Sequence, residues 1–262
     1  MTAEPRVVLQ RDGTVARLVL NRPGFGNALD LETVRQLMQA AILCDEDAAI
    51  RCVVLTGAGR LFCVGGDIGG FAADGEGVSG MIKEMTVYLH MAVSRLARMS
   101  KPLITVANGA AAGAGFSLAI LGDIVLAAQS AHFTAAYTAV GLSPDGGLTW
   151  LLPRVAGLRV AQELMITNRR VDADEAAKMG LVTRVVADNQ LEPEAMKLAA
   201  QMASSATGAI GRTRALLLSS FSATLETQME SEARAIAFGG GTADGQEGIV
   251  AFLAKRRPQF TG

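Results

Sequence analysis

Aromatic side chains are scarce. Nine Phe, two Tyr and one Trp make up 5% of 262 residues, too few for a base-stacking platform. Basic charge is not in excess either. Lys and Arg number 24, Asp and Glu 25, and the formal net charge is -1. No basic stripe stands out, so the electrostatic footprint of a nucleic-acid binder is lacking. The three cysteines, Cys44, Cys52 and Cys63, are odd in number and scattered. That excludes a disulfide framework and points to a reducing, cytoplasmic setting. The two histidines, His90 and His132, stand far apart with no carboxylate or thiol at ligand spacing, so no metal site is expected. The opening residues carry no apolar signal core. Residues 102–122 are uncharged and about long enough to span a bilayer. They contain Asn108 and four glycines, however, and divide into strand, turn and helix, so no membrane segment is expected.

What is present is apolar bulk. Half the residues are hydrophobic and 19% are charged, enough to bury a large core without staples. Two β-rich runs flank Asp12-Gly13, a hairpin signal. A helix should start near Asp30, which can cap it, with Leu31, Val34, Leu37, Met38, Ala41 and Ile42 on one face. Residues 51–57, 103–108 and 123–128 are apolar runs that suit buried strands, and 81–99 and 114–121 have helical patterns. Strand alternating with helix predicts an α/β protein with parallel β structure. From about residue 155 the pattern is mostly helical, over 157–167, 173–179, 190–205, 208–220, 222–237 and 243–255, with a last short strand at 182–186. The expected organisation is a core over residues 1–190 and a helical C-terminal part over 191–262.

Glycine concentrates at 57–70, 109–115 and 141–147, where backbone must adopt unusual angles or approach something closely. The first two loops follow strands and run into helices, which leaves N–H groups free to face an anion. Gly-Lys is absent, so there is no P-loop, and Gly113-Ala114-Gly115 is followed by Leu118 where a dinucleotide fingerprint needs glycine. What remains is a pair of N–H donors for an oxyanion that develops during reaction, with tight turns alone as the bland alternative. In the third loop Asp145 follows proline, precedes two glycines and lies among apolar residues. There it can act as a general base or acid, or cap a helix starting at Gly146. Asp123 suits a loop anchor, His90 a packed helix face, and Cys63 an apolar wall rather than a nucleophile.

Taken in order, these loops resemble the enoyl-CoA hydratase/isomerase (crotonase) superfamily. The resemblance rests on Asn21-Arg22-Pro23 with Asn27-Ala28-Leu29, on the loop 62–67, on 108–115, on Leu142-Ser143-Pro144-Asp145-Gly146-Gly147, on 176–182 and on 247–258. It implies a crotonase-like superhelix of four ββα turns with a helical C-terminal trimerisation part, a homotrimer or hexamer, and an acyl-CoA substrate. No separate cofactor is implied, because coenzyme A arrives as part of the substrate. By position the oxyanion donors are the amides of Gly66 and Ala114. The substrate-binding positions are Phe25, Ala28, Cys63, Gly65, Asp67, Ile68, Tyr137 and Lys255, with Lys255 acting from a neighbouring subunit.

The positions of the hydratases' two glutamates are held here by Ser117 and Tyr137. Asp145 stands where isomerase-like members place a carboxylate. Residues 142–157 and 248–262 look most like ring-epoxyphenylacetyl-CoA isomerases, although Leu148 replaces their glycine. His90 with Asp145 also resembles aromatic-CoA dehalogenases, with Tyr137 in place of a tryptophan. The expected function is therefore an acyl-CoA isomerase with Asp145 as proton shuttle. Enoyl-CoA hydration and non-catalytic acyl-CoA binding are the alternatives.

Overall fold

A computed structural model describes residues 4–261. The chain opens with the hairpin β1 (Val7–Asp12) and β2 (Val15–Leu20), paired antiparallel. Its two-residue connection is Gly13-Thr14, one residue beyond the Asp12-Gly13 pair, because Asp12 still pairs with Val15. Gly13 supplies the left-handed turn at φ 56°. Strands β3 (Cys52–Gly57), β4 (Leu103–Ala107), β6 (Ile124–Ala128) and β9 (Arg184–Val186) then add in parallel, in the sheet order β1-β2-β3-β4-β6-β9. Every residue of β3 and β4 is buried. That is why these strands are unbroken apolar runs with no period-two alternation.

A second, smaller layer is built from very short strands. β5 (Ala111–Ala112), β7 (His132–Thr134) and β8 (Val171–Asp172) form one sheet. Parallel bridges extend the layer from Cys63 to Ala111 and join Leu29 to Gly66. Four times, then, a long strand is followed by a short bridging segment and a helix. The four turns run β2 to Leu29 to α1 (Leu31–Glu46), β3 to Gly66 to α2 (Ile68–Asp74) and α3 (Val78–Arg98), β4 to β5 to α4 (Ala114–Ala119), and β6 to β7 to α5 (Leu148–Ala156) and α6 (Leu158–Thr167). These are the four ββα turns expected from the sequence.

Helix α1 starts where Asp30 accepts from the Thr33 N–H at 2.8 Å. It buries Val34, Leu37, Ala41 and Cys44 and lies against α3, which buries Met85, Leu89, Ala92 and Leu96. The i, i+3, i+4 spacing of each set is the physical cause of the contact. Helix α7 (Ala173–Lys178) leads to β9. Helix α8 (Leu191–Ala203) then packs its Leu191, Ala195, Ala199 and Ala203 beneath β2, β3, β4 and β6. The C-terminal segment thus covers the sheet before it leaves as α9 (Thr207–Ser220), α10 (Leu225–Gly240) and α11 (Ala243–Leu253).

Two asparagines, Asn27 fully buried and Asn108 partly buried, shape the approach to the first glycine loop. Asn27, at φ 58°, donates through Nδ2 to the carbonyls of Ala58, Leu61 and Phe62 and accepts from the Arg22 N–H. Asn108 accepts from the Gly57 N–H and donates to the Gly59 and Leu61 carbonyls. A loop cannot satisfy its own backbone, so these amides do it from both sides. Residues 102–122, uncharged in sequence, fold as β4, β5 and α4. Among the described residues no helix is long and apolar enough to cross a membrane.

Candidate active site

The three glycine loops meet at one cavity of about 300 Å³. The first loop follows β3. Cys63 is bridged to Ala111 and Gly66 to Leu29, which fixes the loop against the second layer. The Leu29 N–H bonds the Gly65 carbonyl, and the Asp67 N–H bonds the Leu29 carbonyl. The intervening Gly66 N–H is left facing away from that bridge. The second loop follows β5. Gly113 sits at φ 54° and ψ −129°, where an L side chain is strained, and hands over directly to α4. Ala114 is the first residue of α4, so its N–H has no intrahelical partner. No hydrogen bond within the described residues occupies either the Gly66 or the Ala114 amide.

Close contact of the two loops requires glycine. A methyl on Gly65 would lie 2.9 Å from the Ala112 carbonyl oxygen and 3.4 Å from the Ala114 nitrogen. One on Gly115 would lie 2.1 Å from the Cys63 carbonyl oxygen. The Gly113-Ala114-Gly115 spacing therefore serves loop packing, with one free amide left between the glycines.

The third loop brings the acid. Asp145 is half-buried and lines the cavity, as do Gly65, Gly66, Ile68, Ala114 and Tyr137. Its carboxylate does not cap the next helix. Helix α5 starts at Leu148, two residues later than Gly146, and Gly147 at its N-cap offers no side chain. Gly146 and Gly147 both take positive φ, 60° and 81°, and this double left-handed turn aims Asp145 back toward the cavity. The Tyr137 hydroxyl donates to Asp145 Oδ1 at 2.6 Å. The Ser117 hydroxyl donates to the Asp145 carbonyl at 3.0 Å. The Gly146 N–H donates to His90 Nε2 at 3.2 Å, so His90 presents an unprotonated nitrogen there. Burial, and then the negative charge of Asp145, push the Tyr137 phenol upward, and it stays protonated through any working pH. Among the described residues, no lysine, arginine or second carboxylate lines the cavity.

Other expected positions lie around this centre. Cys63 does not reach the cavity. It is fully buried behind the loop, its sulfur accepts from the Gly65 N–H at 3.5 Å, and burial pushes its thiol up to about 12. Asp67 caps α2 by accepting from the Gly70 N–H and pairs with Arg22 at 3.1 Å. Burial opposes its ionisation, but those two partners prevail and hold the carboxyl below the usual range. Arg22 also donates to the Ala28 carbonyl and lies 4.8 Å from the ring of Phe25. Phe25 and Ile68 are 68% and 49% exposed, and of the two Ile68 lines the cavity. Lys255 follows α11, exposed and at φ 54°, and this chain does not bring it to the cavity. The apolar walls supplied by α2 and α3, Phe71, Ile82, Met85 and Leu89, were missed in sequence. α2 has Gly69-Gly70 at its start and no helical period to detect.

One cavity thus has two unpaired backbone amides and one carboxylate among its lining residues. The enoyl-CoA hydratase/isomerase family model matches residues 10–262. The chain belongs to the enoyl-CoA hydratase/isomerase family. It is 42% identical over 251 residues to the 1,2-epoxyphenylacetyl-CoA isomerase of Escherichia coli, covering 95% of each chain. It is 38% identical to a probable enoyl-CoA hydratase of Rhodobacter capsulatus, again covering 95% of each. Among solved structures, an enoyl-CoA hydratase from Polaromonas sp. JS666 superimposes with a TM-score of 0.93 at 34% identity, over 97% of this chain and 99% of that one. The fold is therefore the crotonase fold, with its helical C-terminal region. Family relatives include both isomerases and hydratases, so the reaction of this member is argued from its own residues.

Proposed function

We propose that this family member is an acyl-CoA isomerase acting on an unsaturated, enoyl- or ring-derived, CoA thioester. The observation that carries the reading is the lone carboxylate. Asp145 is the one acid among the described cavity-lining residues, and Ser117 and Tyr137 hold the positions of the hydratases' glutamates. Neither replacement is a base. One carboxylate suffices for isomerisation, because it takes a proton and then returns it.

The thioester carbonyl oxygen accepts from the Gly66 and Ala114 amides. Asp145 removes a proton from a carbon acidified by that thioester. The C–H electron pair moves into the carbon chain, and the oxygen gains negative charge between the two amides. Each such donor contributes about 3–4 kcal/mol at the transition state. The proton on Asp145 then returns to a different carbon of the delocalised system. The double bond has moved, composition is unchanged and the carboxylate is restored.

The coenzyme would extend past the mouth, its adenine against Phe25, Ala28, Asp67 and Ile68, with the phosphates toward Lys255 of a second copy in a homotrimer or hexamer. The active-site experiment is Asp145→Asn. The amide is nearly isosteric, so fold and CoA-thioester affinity should persist while turnover falls about 100- to 10,000-fold. Full retention of turnover would overturn the isomerase reading. Hydration is the second reading, favoured by the hydratases among the relatives. It would require a second acid–base group to act on water, and His90 Nε2, engaged by Gly146, is the nearest basic nitrogen to the turn.

A further inference from the structure

Ser117 and Tyr137 are more than lost catalytic positions. Both hydroxyls bond to Asp145, one at its backbone carbonyl and the other at its carboxylate. From this geometry we infer that Tyr137 is a positioning residue that holds the Asp145 carboxylate in one rotamer, with Oδ1 engaged and Oδ2 turned to exchange protons with substrate. This rests on Asp145 being the proton shuttle.

The physical grounds are independent of any relative. Tyr137 is 9% exposed and Ser117 2% exposed, so both hydroxyls are held largely within the protein. At 2.6 Å, the phenol–carboxylate contact has the short length of a charge-assisted bond. Burial keeps the phenol protonated, so it donates at every working pH. A donor that binds the ionised carboxylate stabilises that form over the acid. The backbone is fixed as well. Ser117 holds the carbonyl of Asp145, and His90 accepts the N–H of the following residue. The carboxylate is therefore held at its oxygen and on both sides of its peptide plane. The titratable groups facing this turn are Tyr137 itself and, from α3, His90. Helix α4 contributes Ser117, which does not titrate.

The consequence is a division of labour between the two carboxylate oxygens. Oδ1 is engaged by Tyr137, and Oδ2 is the oxygen left to carry the proton. A single fixed oxygen must serve both the carbon that loses the proton and the carbon that gains it. This confines transfer to one face of the substrate.

The test compares Tyr137→Phe with Asp145→Asn in the full-length protein. Turnover of an unsaturated CoA thioester is measured from pH 4 to pH 9, with thermal melting as the folding check. Tyr137→Phe removes one oxygen and keeps the ring. Turnover should drop about 10- to 100-fold, as expected for a lost hydrogen bond to a charged group, with KM little changed. The acidic limb of the pH profile should move about one to two pH units upward. A purely structural tyrosine would lower the melting temperature and leave the limb in place, which would overturn the inference. Should the Phe variant fail to fold, 3-fluorotyrosine at position 137 keeps the shape and strengthens the donor. The limb then moves to lower pH, and an unmoved limb again overturns the inference. If Tyr137→Phe behaves as wild type while Asp145→Asn is inactive, the positioning role is wrong and the shuttle stands. If Asp145→Asn is active, the shuttle itself is wrong, and the positioning role falls with it.

Discussion

Cys63 and Gly115 face each other across the base of the oxyanion site, and both are constrained by space. The Cys63 thiol is held at about 12 by burial, as are those of Cys44 and Cys52. Thiolate is the reactive form. Iodoacetamide at pH 8 should therefore label none of the three in native protein and all three in denaturant. Fast native labelling of Cys63 would put it in the cavity after all. Gly115 approaches the Cys63 carbonyl so closely that Gly115→Ala must displace the start of α4. A shift of about 1 Å in the Ala114 amide should cost about 100-fold in turnover in a protein that still folds. Unchanged turnover would mean that this amide does not bind the reacting oxygen. At this scale the glycine loops and Asp145 stand out in an apolar sequence, whereas Gly66 and Ala114 were named only through the family resemblance. The Tyr137–Asp145 bond was not legible. The two are eight positions apart, and the loop between them turns through the left-handed Gly141 and leaves no periodic trace.

Among elements, length decided legibility. The long helices and the three buried strands 51–57, 103–108 and 123–128 announce themselves by periodicity or by unbroken apolar runs. β5, β7 and β8 have two or three residues each, too few for any period, and exist only because neighbouring turns of the superhelix pair with them. Arg214 on α9 shows a long-range tie of the same kind. It is 8% exposed, pairs with Asp123 at 2.7 Å and donates to the carbonyls of Leu96, Met99 and Lys101. Asp123 in turn accepts from the Leu103 N–H, the anchor role expected of it. Arg214→Met should destabilise the fold by about 3 kcal/mol in urea titration, since it strands a carboxylate and several carbonyls. A change below 1 kcal/mol would show that water replaces the guanidinium.

Helix α11 is tied to the C-terminal tail by Glu247. Hydrogen bonds from Arg256 first, and then from the Gln259 N–H, lower its carboxyl from 4.5 to about 2. A depressed carboxyl stabilises the docked tail fully above pH 4.5. That contribution is lost as pH falls toward 2. Glu247→Gln should therefore expose the tail to protease at neutral pH. Equal protease resistance in the variant would remove the ion pair from this role.

Viewed whole, the molecule has a face that a monomer should not leave open. Phe252, Ile236 and Leu253 are 83%, 78% and 76% exposed on α10 and α11. A hollow of about 1010 Å³ opens among α9, α10 and α11. Exposed apolar side chains of this size suit the homotrimer or hexamer proposed above. Sedimentation should give a mass of three or six chains, and Phe252→Glu should lower it; a monomeric wild type would contradict the proposed assembly. The proposed assembly and the proposed role of Lys255 belong to the scale a single chain's sequence conveys least, since both would depend on a second copy.

The central claim is that one carboxylate moves a proton and adds nothing to the substrate. Wild-type protein should be incubated with 2-enoyl-, 3-enoyl- and phenylacetate-derived CoA thioesters and the products weighed by mass spectrometry, with ultraviolet absorbance followed in parallel. The account predicts a product of unchanged mass and altered absorbance from at least one of them, and no such product from Asp145→Asn. A product heavier by one water, formed at the same rate by the Asp145→Asn variant, would contradict it.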